Sequence, residues 1–128
     1  MQNIDSTLLF SATDLVNFLG CHHATFLDLR QLSAPVELPP PDAHAELLQQ
    51  KGLEHEQSHL ARLKAEGRHV VEISRDVPLA SRVDLTRQAM ASGAEVIYQG
   101  PLYLPPWHGY SDFLMRVEEP SRLGAWGL

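Results

Sequence analysis

Two histidines four residues apart flank a glutamate in His55-Glu56-Gln57-Ser58-His59. Imidazole and carboxylate are ordinary ligands for divalent cations of the Mg²⁺ and Mn²⁺ type. At about 100° per residue, positions 55, 56 and 59 share a helix face with Ala45, Leu48, Gly52, Leu60 and Leu63. Lys51, Glu54, Gln57, Ser58, Ala61 and Arg62 make the opposite, solvated side. A carboxylate set into an apolar stripe is costly unless it is paired or neutralised. Glu56 and its neighbours therefore need a partner: a bound cation, or an arginine and hydrogen bonds of a structural kind. The same five residues match the HExxH pattern of zinc hydrolases, in which the glutamate is a general base. No third zinc ligand follows at a recognisable distance, so a zinc hydrolase is the lesser alternative.

A second misfit is Asp112. Residues 109–117 alternate as a strand, with Tyr110, Asp112, Leu114 and Arg116 on one side and Ser111, Phe113, Met115 and Val117 on the other. Aspartate is disfavoured in mid-strand. Two readings are open: an edge charge that deters aggregation, or a metal-binding carboxylate where Gly109 lets a ligand or a neighbouring backbone come close.

The elements that must position these groups follow from pattern. Residues 1–9 read as a disordered lead. Ser11-Ala-Thr-Asp14 is a capping box, and Leu15, Phe18 and Leu19 continue a helix that Gly20 stops. A second helix spans 21–32, starting at Cys21. Pro35, Pro39, Pro40 and Pro41 then make residues 33–41 a stiff, extended connector. Asp42 caps a long helix to about Glu66, with Gly67 as its stop. A β-branched run over 69–73 is a strand, 83–90 a helix ended by Gly93, and 95–99 and 102–104 a strand broken at Gly100-Pro101. Pro105-Pro106 is a turn, and 108–118 the return strand of a hairpin. The order predicts a single α/β domain over 1–128: helices packed on a small mixed sheet that ends in an antiparallel hairpin.

Composition narrows the function. Ten Lys and Arg against sixteen Asp and Glu give a formal charge of −6, which argues against gripping phosphate backbones through bulk positive charge. It does not exclude a metal-dependent nuclease, which needs its own carboxylates. One cysteine allows no intramolecular disulfide. No apolar stretch is long enough to span a bilayer and no secretory signal opens the chain, so the expected compartment is the cytoplasm.

Four blocks in order resemble the N-terminal portion of RecB-like nucleases of the PD-(D/E)XK superfamily. They are Phe10-Ser-Ala-Thr-Asp-Leu-Val-Asn-Phe-Leu-Gly-Cys21, Lys51-Gly-Leu-Glu-His-Glu56, Gly93-Ala-Glu-Val-Ile-Tyr-Gln99 and Gly109-Tyr-Ser-Asp-Phe-Leu114. The resemblance covers nearly the whole chain. It implies part of a restriction-endonuclease-like fold and metal-dependent cleavage of DNA, with RNA also open. It also implies Mg²⁺ or Mn²⁺ as cofactor, held by His55 and Asp112 as catalytic metal ligands, with Glu56 as a further candidate. The family's third motif, Asp/Glu-x-Lys, has no match in these 128 residues; its strand would begin about where they end. The resemblance thus implies a segment of a longer enzyme, inactive by itself. Some relatives carry an iron–sulfur cluster on one early and three late cysteines, and Cys21 stands at the early position. At a helix start its thiol would favour the thiolate form, and it is expected to face the end of the chain rather than the core; packing among Phe18, Phe26 and Leu29 would remove its support for a cluster. The competing class is a small interaction or scaffolding domain in which these His and Asp residues are structural.

Overall fold

The computed structural model describes residues 1–4, 6–40 and 42–128, and it is mixed α/β. Its chain order is β1 (Gln2–Ile4), β2 (Thr7–Leu9), α1 (Ala12–Gly20), α2 (His22–Ser33), α3 (Ala43–Ala65), β3 (Val70–Glu72), α4 (Leu79–Ala91), β4 (Val96–Leu104) and β5 (Trp107–Met115). The chain forms two compact units, Met1–Pro40 with Tyr103–Gly109, and Pro41–Leu102 with Tyr110–Leu128.

In the first unit the expected disordered lead is instead a hairpin. Strands β1 and β2 pair antiparallel, with Gln2 opposite Leu9, and Leu9 is fully buried. Three-residue strands are too short to show a period, and only pairing and the burial of Leu9 reveal them. Phe10 continues the chain into a parallel bridge with Trp107, its amide donating to the Pro106 carbonyl at 2.7 Å. Helix α1 opens with the expected capping box, in which the Ser11 side chain accepts from the Asp14 amide and the Asp14 carboxylate accepts from the Ser11 amide. Asp14 also accepts from the Met1 ammonium at 2.7 Å and is buried. Burial pushes its carboxyl pKa up. The bonds from the Met1 ammonium and from the Ser11 hydroxyl and amide outweigh that and hold it below the ordinary aspartate range. Residues 34–40 take no helix or strand, in keeping with the proline connector; Pro41 lies outside the described residues.

The second unit holds the residues singled out above. Helices α3 and α4 end alike. Gly67 and Gly93 adopt positive φ of 79° and 71°, and the amides of Arg68 and Ala94 reach back to the carbonyls of Leu63 and Ala89, closing Schellman motifs that few other residues could form. Helix α4 begins at Leu79, a turn before the expected start, directly after Pro78. It buries Arg82, Val83, Thr86 and Ala89, an i, i+1, i+4, i+7 stripe. The sheet order is β3-β4-β5. Strands β3 and β4 are parallel, with Val70, Val71 and Glu72 opposite Val96, Ile97 and Tyr98, and β4 and β5 form the antiparallel hairpin. Ile73, Ala89, Ala94 and Ile97 make the core, with Val71, Met90 and Leu114 packed against it.

Strand β4 is not broken at Gly100-Pro101, as the sequence led us to expect, but runs through them to Leu104. Beyond Tyr98 it has left β3 behind, so a proline nitrogen that cannot donate interrupts no second ladder. Past β5 the chain turns back: Val117 bridges Gly127, and the Arg116 guanidinium lies 5.1 Å from the Trp126 ring. No helix among the described residues is long and apolar enough to cross a membrane.

The Asp14 cluster makes a prediction about acid. A carboxyl whose folded pKa is depressed contributes stability above its unfolded value, near 4, which is lost as pH falls through the folded value. Asp14→Asn should therefore destabilise the first unit at neutral pH and flatten its acid unfolding below about pH 4. Ser11→Ala should cost about 1 kcal/mol at neutral pH and less below about pH 4, since the Ser11 hydroxyl donates to the ionised Asp14 carboxylate. Amide exchange of α1 against pH checks both, and identical acid profiles for Asp14→Asn and the parent would contradict the assignment.

Candidate carboxylate site on the central strand

Within the second unit, Gly52, His55, Glu56, His59, Asp112 and Phe113 line one open cavity of about 430 Å³. Helix α3 supplies the first four and β5 the last two. The structure thus brings His55, Glu56 and Asp112 to a common cavity.

Their burial differs from expectation. Only Leu60 and Leu63 of the apolar face of α3 are buried; Leu48 and His55 are exposed, and Glu56 and His59 are half-buried. Asp112 is exposed too. The long helix has fewer apolar neighbours than a full stripe would require, so helical spacing overstated how deeply its polar members sit. The His55 ring makes no hydrogen bond among the described residues. His59 is engaged otherwise: Arg62 Nη2 lies 2.9 Å from its Nδ1, and its ring packs edge-on against Phe113 at 4.7 Å. That engagement of one imidazole disfavours the HExxH zinc reading, which needs both rings free to meet one ion.

The centre of the arrangement is a residue that the sequence reading left aside. Gln99 of β4 is buried, and its amide nitrogen donates to Glu56 Oε1 and, at 3.4 Å, to Asp112 Oδ1. Its amide oxygen accepts from Arg75 Nη2 at 2.6 Å. Both carboxylate oxygens meet the same nitrogen. They are therefore no further apart than two hydrogen bonds end to end, about 6 Å. Two acidic groups from different elements converge on one point.

Backbone geometry makes this possible. Consecutive residues of a regular strand face opposite ways, yet Tyr98 and Gln99 both reach α3. Gln57 Nε2 donates to the Tyr98 hydroxyl at 2.9 Å, and Gln99 bonds the adjacent Glu56. Gln99 has a φ of 59°, in the left-handed region that non-glycine residues seldom enter, and this breaks the alternation at that residue. Gln57 stays exposed, as its place on the solvated side of α3 led us to expect, and reaches Tyr98 with its side-chain amide alone. Burial raises the Tyr98 phenol above its usual range, and the nearby Glu56 carboxylate, which accepts its hydrogen bond and opposes a second negative charge, raises it further. A glutamine inside the apolar run Val96-Ile-Tyr-Gln-Gly-Pro101 is the signal that could have pointed here. Arg75, in the turn after β3, carried none.

Cys21 is exposed and stands between α1 and α2 as the residue that ends one and begins the other. It is the cap residue of α2 rather than its first helical residue, and its side chain makes no capping bond.

Tyr98 gives a test of this geometry. A phenol with a raised folded pKa contributes stability that is complete below about pH 10 and lost as pH rises through the folded value. Of the three tyrosines, one should ionise later than the others in an ultraviolet titration, and Tyr98→Phe should remove that late step at a cost of about 1 kcal/mol. A late step that survives in Tyr98→Phe would place the perturbed phenol elsewhere.

A scan of protein-family models, a search of curated proteins and a search of solved structures each find no match to this chain.

Proposed function

We propose that the Glu56–Asp112 pair is a divalent-cation site and that the chain is the N-terminal segment of a metal-dependent nuclease acting on DNA, related to the RecB-like enzymes of the PD-(D/E)XK superfamily. The convergence of the two carboxylates on one N–H donor carries the reading. Two carboxylates held this close repel each other unless a cation or hydrogen-bond donors offset their charge. Among the described residues no three His, Cys, Asp or Glu groups converge on one point, so the donor set is a pair with His55 on the same cavity wall. That set fits Mg²⁺ or Mn²⁺, which take one or two carboxylates and fill the remaining positions with water and substrate phosphate.

When bound, such an ion stabilises charge on a phosphodiester and lowers the pKa of a coordinated water. The role of the chain's own residues is to hold and orient. Glu56 and Asp112 supply negative charge from two elements, and exposed His55 lines the same cavity. Cys21 would supply one of the four thiolates that an iron–sulfur cluster takes, so these residues alone would not hold one. An acidic chain with a single exposed cysteine suits a reducing compartment such as the cytoplasm.

Cleavage needs more than the pair. No lysine in the sequence follows an acid by two positions, so the Asp/Glu-x-Lys group beside the attacked phosphorus is not available, and groups that act together at a catalytic centre fail together. We expect calorimetry to find one Mn²⁺ site, weakened about tenfold or more by Asp112→Ala or by Glu56→Ala. We also expect no cutting of single- or double-stranded DNA with Mg²⁺ or Mn²⁺. Absence of Mn²⁺ binding, or binding indifferent to both substitutions, would overturn the cation site. Cutting by these 128 residues that Asp112→Ala abolishes would show that the reacting groups are all present and differently placed.

A further inference from the structure

We infer that Gln99 is the positioning residue of the Glu56–Asp112 pair, with Arg75 setting the sense of its amide; its bearing on cation affinity rests on the reading just given. A glutamine amide has two ends of opposite character, and rotating it exchanges donor for acceptor. A guanidinium can only donate. Arg75 Nη2, 2.6 Å from Gln99 Oε1, therefore requires the oxygen to face it and turns the NH₂ toward the two carboxylates. Polarised by the cation on its oxygen, the amide is a better donor on its nitrogen.

The device holds two acids close without neutralising either. An arginine or lysine in the same place would cancel a charge that a metal ion needs. The amide holds Glu56 and Asp112 together while both negative charges stay available, and the positive charge of Arg75 is kept one side chain away. Each carboxylate oxygen that accepts from the amide retains further lone pairs, so the amide and an ion can be bound together. The backbone supports the same view. A non-glycine residue in the left-handed region costs about 1 kcal/mol or more, and such strain persists where surroundings over-determine it. Here the surroundings are the three bonds from Gln99 to α3, to the turn after β3 and to β5.

The test uses Mn²⁺ alone and the amide's own spectrum. Partners behind metal-binding carboxylates typically contribute about 10- to 100-fold in affinity, so Gln99→Leu should lose that much. Arg75→Met, which leaves the strand untouched, should lose about tenfold. Gln99→Gly, which suits the positive φ, guards against a folding artefact in the leucine variant and should bind as weakly. Without metal, the Gln99 side-chain NH₂ resonances should be displaced from those of free glutamine and should move in Arg75→Met and in Asp112→Asn. Full Mn²⁺ affinity in a folded Gln99→Gly protein would overturn the inference. If the parent binds no Mn²⁺, the cation reading fails on its own and the resonances decide: immobile in Arg75→Met they overturn the positioning role, and displaced as described they support it.

Discussion

The parallel pairing of Val70–Glu72 with Val96–Tyr98 decides where every group of chemical interest lies. It is only three residues long, and it holds because Ala89 of α4 and Ala94 just past that helix pack with Ile73 and Ile97, leaving these four buried. Parallel strands need a crossover connection, and here the crossover is α4 with its glycine-terminated end. Once β4 is seated, the hairpin sets β5 beside it, and Asp112 is delivered to the strand that carries Gln99. Helix α3 reaches the same strand through Gln57 and Glu56.

Strand β4 is accordingly a scaffold with two parts. Up to Tyr98 it is an apolar central strand with β3 on one side and β5 on the other. From Gln99 onward it has one strand neighbour among the described residues, and the irregularities lie there: a left-handed glutamine, a glycine whose added Cβ would come within 3.2 Å of Ile97 and Thr86 side chains, and a fully buried proline. The point where pairing changes from two-sided to one-sided is the point where backbone strain is tolerated and a polar side chain is turned inward.

Much of this was legible in the sequence, for identifiable reasons. Ser11 with Asp14, Asp42, Gly67 and Gly93 are local signals whose effect is confined to one turn of helix, so reading them required no knowledge of the fold. His55, Glu56 and Asp112 stood out because their types clashed with their patterns, and they line one cavity. The failures have a common cause in non-local pairing. The β1–β2 hairpin exists through partners seven residues apart, such as Gln2 and Leu9. Continuity of β4 through Pro101 depends on where β3 stops. Gln99 and Arg75 acquire significance from a bond across 24 positions of sequence. Exposure of His55 and Asp112 likewise reflects what does not pack over them, which periodicity cannot register.

The distances along the chain between the joined groups also set an order of events during folding. Glu56 and Gln99 are 43 residues apart, Arg75 and Gln99 are 24 apart, and Gln99 and Asp112 are 13 apart. Helices α3 and α4 are built from local contacts and form fast, whereas long-range strand pairing carries a loop-closure cost and comes late. The carboxylate pair is therefore among the last features to exist. No excised helix or hairpin contains it, and a chain caught before β3 meets β4 would show nearly its full helical signal while lacking the site altogether.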